Sequence, residues 1–130
     1  MKETIEQNNV KNILEFGAGL SSLLFGITVD KVVTFEDKIG WITKIQDMAN
    51  ENNHIFHWDG KTLDLEDFQQ DGLKFDMCFV DGPAGSTNRE WSTKYGSELA
   101  DIVIVHDAGR AGEKEWQKKH LEIICFCGSR

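Results

Sequence analysis

Short apolar runs alternate along this chain with longer stretches in which apolar residues recur every three or four positions. The short runs are nearly continuous in Val, Ile, Phe and Leu, which favours parallel strands covered on both faces. Six of them predict strands at Asn12–Phe16, Val32–Phe35, His54–His57, Phe75–Val80, Asp101–His106 and Glu122–Phe126. The stretches between them predict helices at Leu20–Val29, Lys38–Asn50, Leu63–Gln69, Arg89–Glu98 and Arg110–His120. In the second of these helices Ile39, Ile42 and Ile45 recur at helical spacing.

Repeated alternation of strand and helix predicts an α/β fold. We expect a Rossmann-like, doubly wound and mostly parallel sheet of about six strands, with helices on both faces. With 130 residues, positions 1–130 are expected to form a single domain. Right-handed crossovers would bring the carboxyl ends of all strands to one edge of the sheet, where ligands bind at the point of strand-order reversal.

The amino-acid composition and net charge exclude some classes of binding partner. The net charge of -8 and pI of about 4.9 argue against non-specific nucleic-acid binding, which needs a basic surface. No apolar run is long enough to predict a membrane span, and the first residues, "MKETIEQNNVKN", lack the apolar core of a signal peptide. The 3 cysteines lie in strand-like runs, which favours reduced thiols and a cytoplasmic protein.

A carboxylate lies at the end of each of the first five predicted strands. These residues are Glu15, Glu36, Asp59, Asp81 and Asp107. An isolated surface acid carries little information. Five in succession at strand ends that share one edge indicate a ligand site at that edge.

The first strand leads into two glycines, in the stretch "ILEFGAGLSS". A dinucleotide fingerprint requires a third glycine, where this chain has Ser22. A pyrophosphate at the following helix would also be repelled by Glu15, two residues before Gly17. A ligand with an ammonium and a sulfonium would instead be attracted by Glu15, while Gly17 and Gly19 allow a ligand to approach the backbone.

The next two strand ends carry groups that suit a nucleoside. Glu36 can accept hydrogen bonds from a ribose diol, whether the ligand is a dinucleotide or not. Asp59 can accept a hydrogen bond from the exocyclic amine of an adenine. Either Trp58 or Phe56 could supply a flat apolar surface beside it.

Four stretches, "LEFGAG", "VVTFED", "HWDGKTL" and "FDMCFVDGPAG", occur here in an order that resembles the class I S-adenosylmethionine-dependent methyltransferases. The resemblance extends from about Lys11 to Gly109. It implies contacts with S-adenosylmethionine by Gly17 and Gly19 along the cofactor, Glu36 on the ribose and Asp59 at the adenine, with Glu15 near the methionine amine through water or the backbone. It also implies that Asp81 faces the methionine end and the acceptor.

The stretches "FVDGPAGSTNREW" and "IVIVHDAGR" are similar to the small-molecule and sugar O-methyltransferases, such as the catechol and macrolide-sugar enzymes. Some of these hold Mg²⁺ through an acid after strand four and an acid–amide pair after strand five. Asp81 and Asp107 correspond to the two acids, but Ala108 stands where Asn or Asp is usual. Without a metal, Asp81 and His106 are the candidates for a base that takes a hydroxyl proton.

The expected function is therefore S-adenosylmethionine-dependent methylation of a hydroxyl on a small molecule or sugar. Only a short stretch, ending in the apolar run "LEIICFC", follows Gly109, so we expect short lid elements. An open acceptor side then indicates either a large acceptor or a lid supplied by a second copy, and a homodimer would also cover the apolar last strand. Two alternatives remain, which are a non-catalytic nucleoside-binding or partner-binding module of the same fold, and an NAD-binding oxidoreductase domain.

Overall fold

The computed structural model describes residues 2–59, 75–81, 90–106 and 123–126. Four helices lie in these ranges, namely α1 (Lys2–Gln7), α2 (Leu20–Thr28), α3 (Ile39–Met48) and α4 (Glu90–Leu99). The strands are β1 (Asn12–Phe16), β2 (Lys31–Glu36), β3 (Asn53–His57), β4 (Phe75–Val80), β5 (Ala100–His106) and β6 (Ile123–Phe126).

The six strands form one sheet in the order β3-β2-β1-β4-β5-β6. All five neighbouring pairs are parallel, and β1 lies between β2 and β4. The chain moves outward from β1 to β3 and then returns to the other side of β1, so the strand order reverses between β1 and β4. This is the order of a Rossmann domain, and it confirms the predicted fold.

Because β1 and β4 are central strands, their side chains are buried on both sheet faces. On one face Ile13, Val32, Met77, Phe79 and Ile104 pack with Phe25 from α2, with Val29 just after α2 and with Ile5 from α1. On the other face Leu14, Phe16, Val33, Cys78, Val80 and Val103 pack with Leu99 from α4. Helices therefore cover both faces, as predicted.

The predicted boundaries of the described strands and helices agree with the structure to within two residues. Helix α1 was not predicted, since it has six residues and its one described core contact is Ile5. Ile42 and Ile45 are buried as their spacing predicts, but Ile39 is 63% exposed. The predicted helices Leu63–Gln69 and Arg110–His120 lie outside the described residues. No helix in the described part of the chain is long and apolar enough to cross a bilayer.

Two glycines bring helices close to the sheet and its loops. A Cβ on Gly26 of α2 would lie 2.2 Å from Oδ1 of Asn53, the first residue of β3. A Cβ on Gly96 of α4 would lie 2.6 Å from Sγ of the buried Cys78 on β4. Both distances are below any ordinary contact, so these positions exclude a larger side chain unless the neighbour moves.

Candidate functional site at the carboxyl edge of the sheet

The loop Gly17–Ala18–Gly19 joins β1 to α2 at the carboxyl edge, beside the point where the strand order reverses. Gly17 has a φ of 99°, a conformation that residues with a Cβ rarely adopt. Its N–H donates to the carbonyl of Phe35 at 2.8 Å and so extends the pairing of β1 with β2. A Cβ on Gly19 would meet no atom of the described residues within 4 Å, so space is open above the second glycine.

All three N–H groups of this loop already donate within the chain. Besides the bond from Gly17, the N–H of Ala18 donates to Oε1 of Glu36 at 2.9 Å. The N–H of Gly19 donates to Oγ of Ser22 at 3.0 Å, which is the backward bond of a capping box at the start of α2. A phosphate cradle needs loop N–H groups that point at the ligand, and these three are occupied.

Glu15 is fully buried beneath the loop and accepts three hydroxyl hydrogen bonds. The donors are Ser21 at 2.6 Å, Ser22 at 2.5 Å and Thr34 at 3.0 Å. Burial, and to a lesser extent the charge of Asp81, raise the pKa of Glu15 to about 7, against the lowering effect of the three hydroxyls. Glu15 therefore ties β1 to β2 and α2.

This environment bears on two expectations about Glu15. Its side chain has an exposed fraction of 0%, so its predicted place near a methionine amine would act through neighbouring groups. With a pKa of about 7, Glu15 is also only partly charged at neutral pH. The predicted repulsion of a pyrophosphate by this residue is correspondingly weaker, and the occupied loop N–H groups are the stronger argument.

Glu36 ends β2 and holds the loops on both sides of it. Its Oε1 accepts the N–H of Ala18, and its Oε2 accepts the N–H of Lys38 at 2.7 Å. Burial and then a side-chain hydrogen bond with Asp37 raise the pKa of Glu36, while the two backbone donors lower it. Glu36 and Asp37 thus form a carboxyl pair at the edge, and a ribose diol bound there would meet the pair rather than Glu36 alone.

Trp41 is the residue of this site that the sequence did not predict. It lies in the first turn of α3, and its indole N–H donates to the carbonyl oxygen of Ala18. Its side chain is 41% exposed. Leu20 and Ile39, the first residues of α2 and α3, are 78% and 63% exposed, so the start of both helices is apolar on its outer side.

The two aromatic residues predicted as alternatives beside Asp59 have different environments. Trp58 is 4% exposed and packs in the core against Phe16, with ring centroids 5.0 Å apart. Phe56 is 50% exposed and stacks on Phe35 at 5.7 Å. Of the two, Phe56 has the accessible ring, and Asp59 is exposed at the end of the same segment.

Asp81 follows β4 on the other side of β1. Its N–H donates to the carbonyl of Phe16 at 2.8 Å, and its charge acts on Glu15, so it lies beside the glycine loop. The backbone of His106 ends β5, where it pairs with Phe126 of β6. Asp107 lies outside the described residues. Within the described ranges, no three His, Cys, Asp or Glu side chains are grouped as a metal site.

The structure thus brings most of the predicted site residues to one edge. Glu15, Gly17, Gly19 and Glu36 belong to one hydrogen-bonded network, and the N–H of Trp58 donates to the carbonyl of Glu36 at 2.9 Å, next to Asp59. Sequence comparison adds no family to this description, since no protein-family model and no curated protein matches the chain.

Proposed function

We propose that this chain is an S-adenosylmethionine-dependent methyltransferase domain that methylates a hydroxyl of a small molecule or sugar. The observation that carries the proposal is the glycine loop, whose three N–H groups are all occupied within the chain. Such a loop offers a ligand little to bind a phosphate with. The carbonyl oxygens of Ala18 and Gly19 accept from Trp41 and Ser22, but each has a second lone pair and can still accept from a ligand that donates hydrogen bonds.

The charges around the loop support a ligand with cationic groups. The carboxyl groups of Glu36, Asp37 and Asp81 lie at the same edge, and Glu15 lies beneath it. A cation that binds there would favour the ionised forms of these groups, whereas an anion would be opposed by them. S-adenosylmethionine carries an ammonium and a sulfonium, in contrast to the pyrophosphate of NAD.

The residues present fit this cofactor at each of its parts. The methionine half would lie beside Gly19, where an added Cβ would meet no atom of the described residues within 4 Å. Glu36 and Asp37 can bind the ribose hydroxyls, since carboxylate oxygens accept hydrogen bonds from a diol. Asp59 would accept the adenine amine, with the exposed ring of Phe56 nearby on β3.

When bound, the cofactor supplies a methyl group on a positively charged sulfur. The chain must then hold the acceptor hydroxyl in line with that methyl group and remove its proton. Asp81 is the residue best placed for this, because it is half-buried beside the glycine loop. His106 at the end of β5 is the second candidate for the base.

The role of Mg²⁺ remains a separate prediction. Asp81 would be one ligand and Asp107 the other, with water completing the shell, as oxygen ligands suit this ion. Activity that survives EDTA would overturn the prediction, and activity that returns with added Mg²⁺ would support it.

The alternatives use the same edge of the sheet. The strand order is equally that of NAD-binding domains, so the fold alone does not choose between the two enzymes. The occupied loop N–H groups and Ser22 in place of a third glycine favour the methyltransferase. A non-catalytic module would bind the nucleoside or a partner protein and transfer no methyl group.

Calorimetric titration with S-adenosylhomocysteine and with NAD tests the proposal. We expect binding of the first and none of the second, and the reverse result would favour the oxidoreductase. Binding of neither would overturn both enzymes and favour a partner-binding module.

Asp81→Asn then tests catalysis, with Asp76→Asn as its matched control. Asp76 lies at the opposite edge, where its Oδ2 accepts the N–H groups of Lys11 and Asn12 at 2.8 and 2.9 Å. Loss of methyl transfer with retained cofactor binding only in Asp81→Asn would support the assigned base. Equal turnover in both variants would remove Asp81 from the mechanism.

The homodimer prediction concerns β6, which within the described sheet pairs only with β5. A second copy that pairs with or covers this edge would bury its apolar residues. Light scattering measures the mass in solution, and a monomer at high protein concentration would contradict the prediction.

A further inference from the structure

Trp41 contacts the glycine loop from outside every motif that the resemblance covers. It lies in the first turn of α3, and its indole N–H donates to the carbonyl oxygen of Ala18. The two residues are 23 positions apart, so the bond joins α3 to the loop between β1 and α2.

With this bond, both the N–H and the carbonyl oxygen of Ala18 are hydrogen-bonded. Glu36 accepts the N–H of Ala18, and Trp41 donates to its carbonyl, so the peptide units on both sides of the residue are held. A loop that is already ordered loses less conformational freedom when a ligand binds. Trp41 therefore contributes to the binding geometry without being part of the glycine motif.

Core packing does not account for a tryptophan at this position. The buried face of α3 is formed by Ile42 and Ile45, whereas Trp41 is 41% exposed. Leu20 and Ile39, the first residues of α2 and α3, are also exposed. Apolar side chains are thus accessible at the start of both helices, in addition to the carboxyl groups of the loop's surroundings.

We propose that Trp41 is a ligand-positioning residue of this site, which holds the glycine loop through Ala18 and borders the bound nucleoside cofactor with its indole ring. This inference rests on the proposed function. It assigns to α3 a part of the ligand contact that the methyltransferase resemblance places in the strand ends alone.

Trp91 provides a matched control on α4. It is also 41% exposed, also lies near the start of its helix, and also has a lysine three residues later over its ring. The corresponding distance from lysine Nζ to ring centroid is 5.4 Å at Trp91 and 5.9 Å at Trp41. Trp91 also stacks on Tyr95, with ring centroids 6.2 Å apart, and of the two tryptophans Trp41 is the one bonded to the glycine loop.

The test compares Trp41→Phe with Trp91→Phe, with S-adenosylhomocysteine as the probe. We expect Trp41→Phe to weaken binding about two- to tenfold, the factor that corresponds to one net hydrogen bond, and Trp91→Phe to leave it unchanged. Urea unfolding of both variants checks that a difference in affinity is not a difference in stability. Trp41→His, which restores a ring N–H donor, is expected to recover part of the affinity.

A spectroscopic measurement on the unmodified protein covers the case in which Trp41→Phe does not fold. The indole N–H signals of ¹⁵N-labelled protein are followed during the titration, and that of Trp41, assigned with Trp41→His, is expected to shift most. If the wild type binds S-adenosylhomocysteine and both Phe variants bind it equally well, the inference about Trp41 is overturned while the proposed function stands. A Trp41 signal that does not move during the titration would have the same consequence. A wild-type protein that binds no S-adenosylhomocysteine would overturn the proposed function, and the inference with it.

Discussion

Ser22 donates its hydroxyl to Glu15 at 2.5 Å, and the same oxygen accepts the N–H of Gly19 at 3.0 Å. One side chain thus joins a buried carboxyl group to the glycine loop and to the start of α2. The protonation of Glu15 and the geometry of the loop are connected through this single hydroxyl.

We expect stability to depend on pH through Glu15. Its pKa is about 7 in the folded chain against an ordinary 4.5, so between these values the folded protein retains a proton that the unfolded chain has released. The free energy of unfolding therefore falls as pH rises from about 4.5 to 7, by about 3 kcal/mol in all. Glu15→Gln does not titrate, so its free energy of unfolding relative to wild type should rise by about 2–3 kcal/mol between pH 5 and 8. Urea unfolding of both proteins measures this, and a difference that is constant over that range would contradict it.

Substitution by alanine is expected to have opposite effects on stability at Gly26 and at Gly40. A Cβ at Gly26 would overlap the side chain of Asn53, which also donates to the carbonyl of Ser22 at 2.8 Å. A Cβ at Gly40 in α3 would meet no atom of the described residues within 4 Å. Gly26→Ala is expected to lower the free energy of unfolding by about 1–3 kcal/mol, and Gly40→Ala to raise it by up to about 1 kcal/mol. Denaturant unfolding ranks the two variants, and equal midpoints would count against the close contact.

Gly96 and Cys78 are expected to be coupled. Gly96→Ala forces its new methyl group against Cys78 Sγ and should destabilise the protein by about 1–3 kcal/mol. Cys78→Ala removes that sulfur, so the double variant should lose less than the sum of the two single effects. A double-mutant cycle in urea gives the coupling energy directly. Strict additivity would mean that α4 adjusts without touching β4.

Glu36→Gln is expected to weaken cofactor binding. The amide nitrogen replaces one of the two oxygens that accept from Ala18 and Lys38, so one backbone N–H loses its acceptor. We expect about tenfold weaker binding of S-adenosylhomocysteine by calorimetry. Asp76→Asn serves as control, because its remaining oxygen can still accept both backbone donors at the opposite edge. The role of Glu36 would be rejected if both variants bound as the wild type does.

The strands and the common edge could be predicted because buried parallel strands are apolar throughout and polar groups follow them. The hydrogen-bond partners of Glu15 could not be predicted, since Ser21 and Thr34 are 6 and 19 positions away on different elements. Hydrophobic periodicity indicates which face of a helix is buried but predicts no hydrogen bond, so the sequence did not indicate the bond of Trp41 to the glycine loop. The accessibility of Phe56 depends on the strand order, in which β3 has one neighbour within the described sheet, and the burial of Trp58 depends on its contact with Phe16 of β1.

The central position of β1 also determines the order in which the site can be assembled. Asn12 at the start of β1 bonds to Asp76 on β4, 64 positions further along the chain. During synthesis, the first β–α units therefore emerge with one side of β1 still unpaired. The part of the site formed by Glu15, Ser22, Thr34 and Glu36 is local enough to form early, whereas Asp81 joins it only when β4 docks. A folding intermediate that stops before this step would contain the glycine loop but not the proposed base.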